Sequence, residues 1–120
     1  MKKVLVVDDM SGWREHNTNA VYEILDNGVS VEEAQSATEA YSMIIQNVSR
    51  PYDIVITDLQ MEDDYAPKVA GEWLIEQIKT LPQYYKTKIV IISASYNIKQ
   101  IAESYNVDYI RKSTALKFIS

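Results

Sequence analysis

Three carboxylates, a hydroxyl and an ammonium stand in this chain where they could act on one another. Asp8 and Asp9 close the apolar run Lys3-Val4-Leu5-Val6-Val7, and Asp58 closes Ile54-Val55-Ile56-Thr57. Ser93 follows Ile89-Val90-Ile91-Ile92, and Lys112 follows Tyr109-Ile110-Arg111. Gathered at one sheet edge, the acids suit a hard divalent cation such as Mg²⁺, which keeps several waters and is usually held by one or two carboxylates plus phosphate oxygens. An aspartate carboxylate is also a nucleophile toward phosphorus, giving an acyl phosphate. Phosphoryl transfer asks mainly for in-line positioning and for neutralisation of the equatorial oxygens. A cation, the Lys112 ammonium and the Ser93 hydroxyl would supply that neutralisation. Three carboxylates against Mg²⁺ and one lysine sum to zero before a phosphoryl group arrives.

Singly, these residues say little. An aspartate after a strand is more often a turn former or helix cap than a ligand. Ser93 could satisfy local backbone groups, and Lys112 could be a solvated surface lysine. Together they differ, because crowded carboxylates raise one another's pKa unless a cation compensates. Stability alone gives no reason to collect them.

The elements that must position them follow from periodicity. Val4–Val7 is a short valine-rich run of the kind found in strands buried on both faces. Ser11 reads as the N-cap of a helix through about Asp26, stopped by Asn27-Gly28. A more polar strand follows over Val29–Gln35. Ser36 caps a helix with Ala37, Ala40, Tyr41, Ile44 and Ile45 along one face. Past Pro51, Tyr52–Thr57 is the third strand. Glu62–Ala70 reads as a polar loop, and Gly71–Thr80 as a helix with Trp73, Leu74 and Ile78 on one face. Lys88–Ile92 is the fourth strand, Asn97–Tyr105 a short helix, Val107–Arg111 the last strand, and Thr114–Ser120 a short final helix. This alternation predicts an α/β doubly wound sheet. In such sheets ligands bind beyond the carboxyl ends of the strands, where the strand order switches. The acids, Ser93 and Lys112 all fall at such ends.

Composition narrows the function further. The chain has 120 residues, 47% hydrophobic and 24% charged, as expected of one globular domain over residues 1–120. The absence of cysteine excludes disulfides and thiolate metal sites, and one histidine, His16, excludes a multi-histidine zinc centre. A net charge of −5, with basic residues scattered, argues against direct nucleic-acid binding. No apolar run approaches the ~20 residues that span a bilayer, and no signal sequence opens the chain, so the expected location is cytoplasmic, away from the membrane.

At this point the chain resembles the receiver domains of bacterial two-component response regulators, over essentially its whole length. The resemblance rests on Val4-Leu5-Val6-Val7-Asp8-Asp9, on Val31-Glu32-Glu33-Ala34 with Glu39-Ala40, and on Tyr52-Asp53-Ile54-Val55-Ile56-Thr57-Asp58-Leu59-Gln60-Met61. Ile89-Val90-Ile91-Ile92-Ser93-Ala94 and Tyr109-Ile110-Arg111-Lys112 complete it. Each piece is moderately specific, and all of them in order are highly specific. The resemblance implies a flavodoxin-like sheet of five parallel strands in the order 2-1-3-4-5, with helices on both faces, although the last helix is truncated here. It implies Asp58 as phosphoacceptor, and Asp9, Asp58, the Gln60 carbonyl and (through water) Asp8 around Mg²⁺, which Mn²⁺ could replace. Ser93 would be the switch hydroxyl, Lys112 the phosphate-binding lysine and Tyr109 the switch aromatic, with Gln60 and Ser95 at positions that tune the phosphoryl lifetime. The implied partners are a histidine kinase or phosphotransfer protein, an output domain or partner reached through the last helix and strand, and a second copy in a homodimer. The implied chemistry is Mg²⁺-dependent self-phosphorylation and autodephosphorylation rather than turnover of an external substrate.

Four features depart from the family pattern. Its proline four residues after the phosphoacceptor is here Glu62, and Gly71 comes late, after an insertion with Glu62, Asp63 and Asp64. The lysine is followed by Ser113 instead of a cis proline. A cis bond there costs roughly 2.5–4 kcal/mol, so either a trans bond with a displaced Lys112 or a strained cis bond is expected. The last helix, finally, has about half the family's length. These departures keep open a pseudo-receiver, an interaction module that works without phosphorylation. An aspartyl-phosphate phosphohydrolase would need Asp-x-Asp on its first strand, where Asp8-Asp9 are adjacent, and a nucleotide binder would need a Gly-rich loop that three scattered glycines do not make. Trp13 could form the pocket rim or pack in the core, and His16 reads as a surface residue.

Overall fold

The computed structural model describes residues 1–61 and 70–117. The expected loop over 62–69 and the last residues of the final helix, 118–120, lie outside them. The strands are β1 (Lys2–Val7), β2 (Val29–Ala34), β3 (Ile54–Thr57), β4 (Lys88–Ser93) and β5 (Asp108–Arg111). The helices are α1 (Ser11–Leu25), α2 (Ala37–Gln46), α3 (Ala70–Thr80), α4 (Ile98–Tyr105) and α5 (Lys112–Lys117). All strands pair in parallel in the order β2-β1-β3-β4-β5, the flavodoxin-like doubly wound sheet.

Alternation along β1 explains why the sheet carries two apolar faces. Successive side chains point to opposite sides of a strand. Leu5 and Val7 accordingly join Val55, Ile89 and Ile91 in a large cluster with Ala40 and Ile44 of α2, Leu74, Ile75 and Ile78 of α3, and Ile98 and Ala102 of α4. Val4 and Val6 turn the other way and meet Val21 of α1 and Val29 in a smaller cluster. All four central β1 side chains are fully buried, which is why the run reads as continuously apolar.

Several boundaries move from their expected places, each for a local reason. Ser11 is the first residue inside α1, not its cap. Met10 holds the extended cap position and has no side-chain cap bond, while the Asp8 carboxylate accepts the Met10 N–H at 3.0 Å. At the other end α1 stops at Leu25, with Asp26 rather than Gly28 at positive φ (57°). The Asp26 N–H closes on the Tyr22 carbonyl. A 3₁₀ turn over Asp26–Gly28 then leads into β2. Ser36 does cap α2, accepting the Glu39 N–H at 3.1 Å. Ile45, expected on the buried face of α2, is exposed, and Ala37, Ala40 and Ile44 form that face. β3 begins at Ile54, although Asp53 already donates its N–H to the Lys3 carbonyl at 2.8 Å. α3 starts at Ala70, one residue early, and α5 starts at Lys112, two residues before Thr114.

Gly71 is placed by contact rather than by φ. It sits at the start of α3 directly beneath the end of β3, with its N–H on the Leu59 carbonyl at 2.8 Å. A Cβ here would overlap the Asp58 carbonyl oxygen and lie 2.6 Å from the Leu59 Cα. Only glycine lets this helix pack so closely behind Asp58.

Candidate functional site

Strand register brings the site together. Val7 pairs with Thr57, so the residues that follow them, Asp8 and Asp58, emerge side by side at the carboxyl edge of the two central strands. Ser93 pairs with Arg111, which puts Lys112 one residue beyond the end of β4. β5 runs into α5 with no intervening loop, so Lys112 leaves the sheet edge already aimed at the acids.

Asp8, Asp9 and Asp58 each offer an oxygen within 4.8 Å of the others. Asp8 is fully buried, Asp58 is 7% exposed and Asp9 is half-buried. The Lys112 ammonium lies 3.1 Å from Asp58 Oδ2 and 3.7 Å from Asp8 Oδ2. The other oxygen of Asp58 accepts the Leu59 N–H at 2.7 Å. Backbone bonds fix both acids: Asp58 N–H donates to the Val7 carbonyl at 3.1 Å, and Asp8 N–H to the Ala34 carbonyl at 3.1 Å.

Asp8 is the unsatisfied member of the group. Its Oδ1 takes the Met10 N–H, while Oδ2 is buried without a hydrogen bond, the Lys112 ammonium being too far to donate one. Burial, reinforced by the charges of Asp58 and Asp9, pushes its carboxyl up to about 6, against the opposing pull of the Met10 N–H and of Lys112. A buried, orphaned carboxylate oxygen beside two further acids calls for a cation. The donors are all hard oxygens, which suits Mg²⁺ or Mn²⁺ rather than a soft metal. The residues present therefore fit the metal that the sequence implies.

An open cleft of about 870 Å³ gives access to the group, and Asp9, Asp58, Gln60, Ser93 and Lys112 all line it. Ser93 is 2% exposed and its hydroxyl is engaged locally, accepting the Ser95 N–H at 3.1 Å and lying 3.2 Å from the Ser95 hydroxyl. Gln60 is exposed at the rim. Tyr109 stands apart from the cleft lining, half-buried against the large core cluster, with the Arg111 guanidinium 5.8 Å from its ring centre. The structure thus joins six of the seven predicted site residues and leaves Tyr109 behind them, on β5. The Lys112–Ser113 bond is trans, as every described peptide bond is, and Lys112 still reaches Asp58.

Three residues near the start of α1 matter here: Arg14 escaped the sequence reading, Trp13 was left between pocket rim and core, and His16 was read as a surface residue. Arg14 donates to the Asp8 carbonyl at 2.9 Å and pairs with Glu33 at 3.5 Å, tying α1 to β2 behind the acids. Trp13 lies under the Lys112 ammonium, 4.6 Å from ring centre to nitrogen. His16, expected at the surface, is half-buried with its ring edge-on to Trp13 at 5.0 Å. Their one sequence signal is position on the first turns after the acid pair, which does not distinguish rim from core.

Residues 4–118 match the response regulator receiver domain family, and the chain belongs to that family. It is 36% identical over 92 residues to a gliding motility regulatory protein of Myxococcus xanthus, covering 77% of this chain but 10% of that protein. Among solved structures, a response regulator receiver domain protein from Clostridium thermocellum is similar at 26% identity, with a TM-score of 0.71 over 98% of this chain and 88% of that one. A LuxR-family DNA-binding response regulator from Staphylococcus aureus shares the fold at 16% identity, with a TM-score of 0.70 over 94% of this chain and 88% of that one. No helix among the described residues is long and apolar enough to cross a membrane.

Proposed function

We propose that this domain, spanning residues 1–120, accepts a phosphoryl group on Asp58 from a phosphohistidine of a kinase or phosphotransfer protein and signals by the change that follows. The observation that carries the reading is the Lys112 ammonium 3.1 Å from Asp58, with the unsatisfied Asp8 oxygen beside it. Mg²⁺, held by Asp9, Asp58 and the Gln60 carbonyl, with Asp8 acting through a bound water, would neutralise charge on the transferring group and orient it. A carboxylate oxygen of Asp58 attacks phosphorus, the phosphorus–nitrogen bond to the donor imidazole breaks, and the imidazole leaves with the electron pair and takes up a proton. Lys112 is then shared between the Asp58 carboxyl and the phosphoryl oxygens. Water attack on the acyl phosphate later returns the carboxylate and inorganic phosphate.

Phosphorylation adds charge and three strong acceptors at this edge. Ser93, now occupied with Ser95, is the donor the new oxygens would recruit, which would re-set the Ala94–Asn97 turn and α4 behind it. Tyr109 on the adjacent strand would move into space vacated by that turn. Such a change works as a shift between two populated states. The partner reads the altered α4–β5–α5 surface, and an output domain or a second copy would do so equally. A cytoplasmic setting follows from the phosphohistidine donor.

Incubation with acetyl phosphate and Mg²⁺ tests the reading. The intact mass is expected to rise by one phosphoryl group, and Asp58→Asn to abolish the gain. No gain in folded protein would favour the pseudo-receiver, which works by binding alone.

A further inference from the structure

The trans bond before Ser113 leaves a question of restraint. Lysine carries a long stem with several rotatable bonds and a strongly hydrated head, so holding its ammonium at one point requires neighbours that limit the stem. Lys112 is the first residue of α5, next to exposed Ser113 and Thr114. Two acids attract its head, yet attraction alone leaves many stem conformations. The indole of Trp13 provides a surface for it. The ammonium sits 4.6 Å from the ring centre, within the range of a cation–π contact, and Lys112 is only 12% exposed there.

Trp13 is itself held. It lies on the inward stripe of α1 with buried Asn17 and Val21, at helical spacings of four and eight. His16 packs edge-on against the indole with a 70° interplanar angle. Met10, one turn earlier, donates to the Asp8 carboxylate, and Arg14, next to Trp13, donates to the Asp8 carbonyl, so the start of α1 and the acid site are a single bonded unit. The ring is therefore fixed relative to the carboxylates by α1, independently of α5.

We infer that Trp13 is a positioning residue: its indole holds the Lys112 ammonium over Asp58, and so sets the readiness of the site to take a phosphoryl group. The inference rests on the reading of Asp58 as phosphoacceptor, but the contact can be tested apart from it. Side-chain NMR of the metal-free full chain is the first arm. The Lys112 CεH₂ signals are expected to be shifted upfield by the indole ring current, and Trp13→Leu to return them to ordinary lysine values. Unshifted signals in the wild type, or signals unmoved by Trp13→Leu, would overturn the inference whatever the chemistry at Asp58.

The second arm is the rate of Asp58 phosphorylation by acetyl phosphate with Mg²⁺. Loss of one cation–π contact predicts a slowing of roughly five- to tenfold in Trp13→Leu. Trp13→Phe, which keeps an aromatic face, should recover most of the rate, and its folding provides the check if the leucine variant fails to fold. In a Lys112→Ala background, Trp13→Leu should change the rate no further. An undiminished rate in Trp13→Leu, or a loss that persists without Lys112, would refute the positioning role. If the wild type shows the ring-current shift but takes no phosphoryl group, the fault lies with Asp58 as acceptor and the Trp13–Lys112 restraint stands.

Discussion

Asp8 is the residue that most nearly decides what the site does, because its carboxylate is placed at a cost. One oxygen is used to start α1 through Met10, and the other is buried without a hydrogen bond. With its carboxyl raised from 3.8 to about 6, the fold favours the protonated form. The contribution to stability is then complete below about pH 4 and is lost as pH rises through about 6. The linkage amounts to roughly 3 kcal/mol at neutral pH in metal-free protein. Urea denaturation with a chelator present should show this decline. Asp8→Asn, neutral and of equal size, should flatten it and be the more stable form at pH 7.5. Parallel profiles for the two proteins would contradict the assignment. Mg²⁺ should stabilise the wild type more at pH 7.5 than at pH 5, since proton and cation compete for the same charge.

At the scale of elements, the site depends on how closely α3 and α1 approach the strand ends. Gly71→Ala introduces a Cβ into the Asp58 carbonyl, and overpacking of this kind costs about 1–3 kcal/mol. The expected result is a urea midpoint lowered accordingly, with amide shifts at Asp58 and Leu59 well beyond those at α2. A change confined to α3 would count against the close approach. Ser36→Ala removes a cap remote from the acids and should cost about 1 kcal/mol while leaving phosphorylation unchanged. These elements were unequally legible. β1 and β3 announced themselves through consecutive apolar residues, Val4–Val7 buried on both faces and Ile54–Ile56 half-buried on one face. The Ser36 cap followed from a serine standing immediately before the apolar stripe of α2. Met10 could not be read as a cap because the bond that fixes it comes from Asp8, and Ile45 misled because the apolar stripe of α2 is narrower than its sequence suggests.

At the scale of the whole molecule, strand order converts scattered residues into one pocket. The order β2-β1-β3-β4-β5 places β1, β3, β4 and β5 consecutively, so their carboxyl ends deliver acids, hydroxyl and ammonium to a single edge. The run ends placed these residues at strand carboxyl ends and the family resemblance supplied the strand order, while the solved relatives at 16–26% identity share the fold. What the sequence hid is contact across long separations. Trp13 meets Lys112 only because α1 and α5 begin at the same edge, and nothing local to Trp13 signals a lysine ninety-nine positions away. The proposed phosphoryl transfer to Asp58 has a direct test. Acyl phosphates are reduced by borohydride to the corresponding alcohol, so trapping after treatment with acetyl phosphate and Mg²⁺, followed by peptide mass mapping, reads the acceptor directly. The reduced side chain is expected at position 58 and at no other acid. A product at position 8 or 9, or none at all in folded protein, would contradict it.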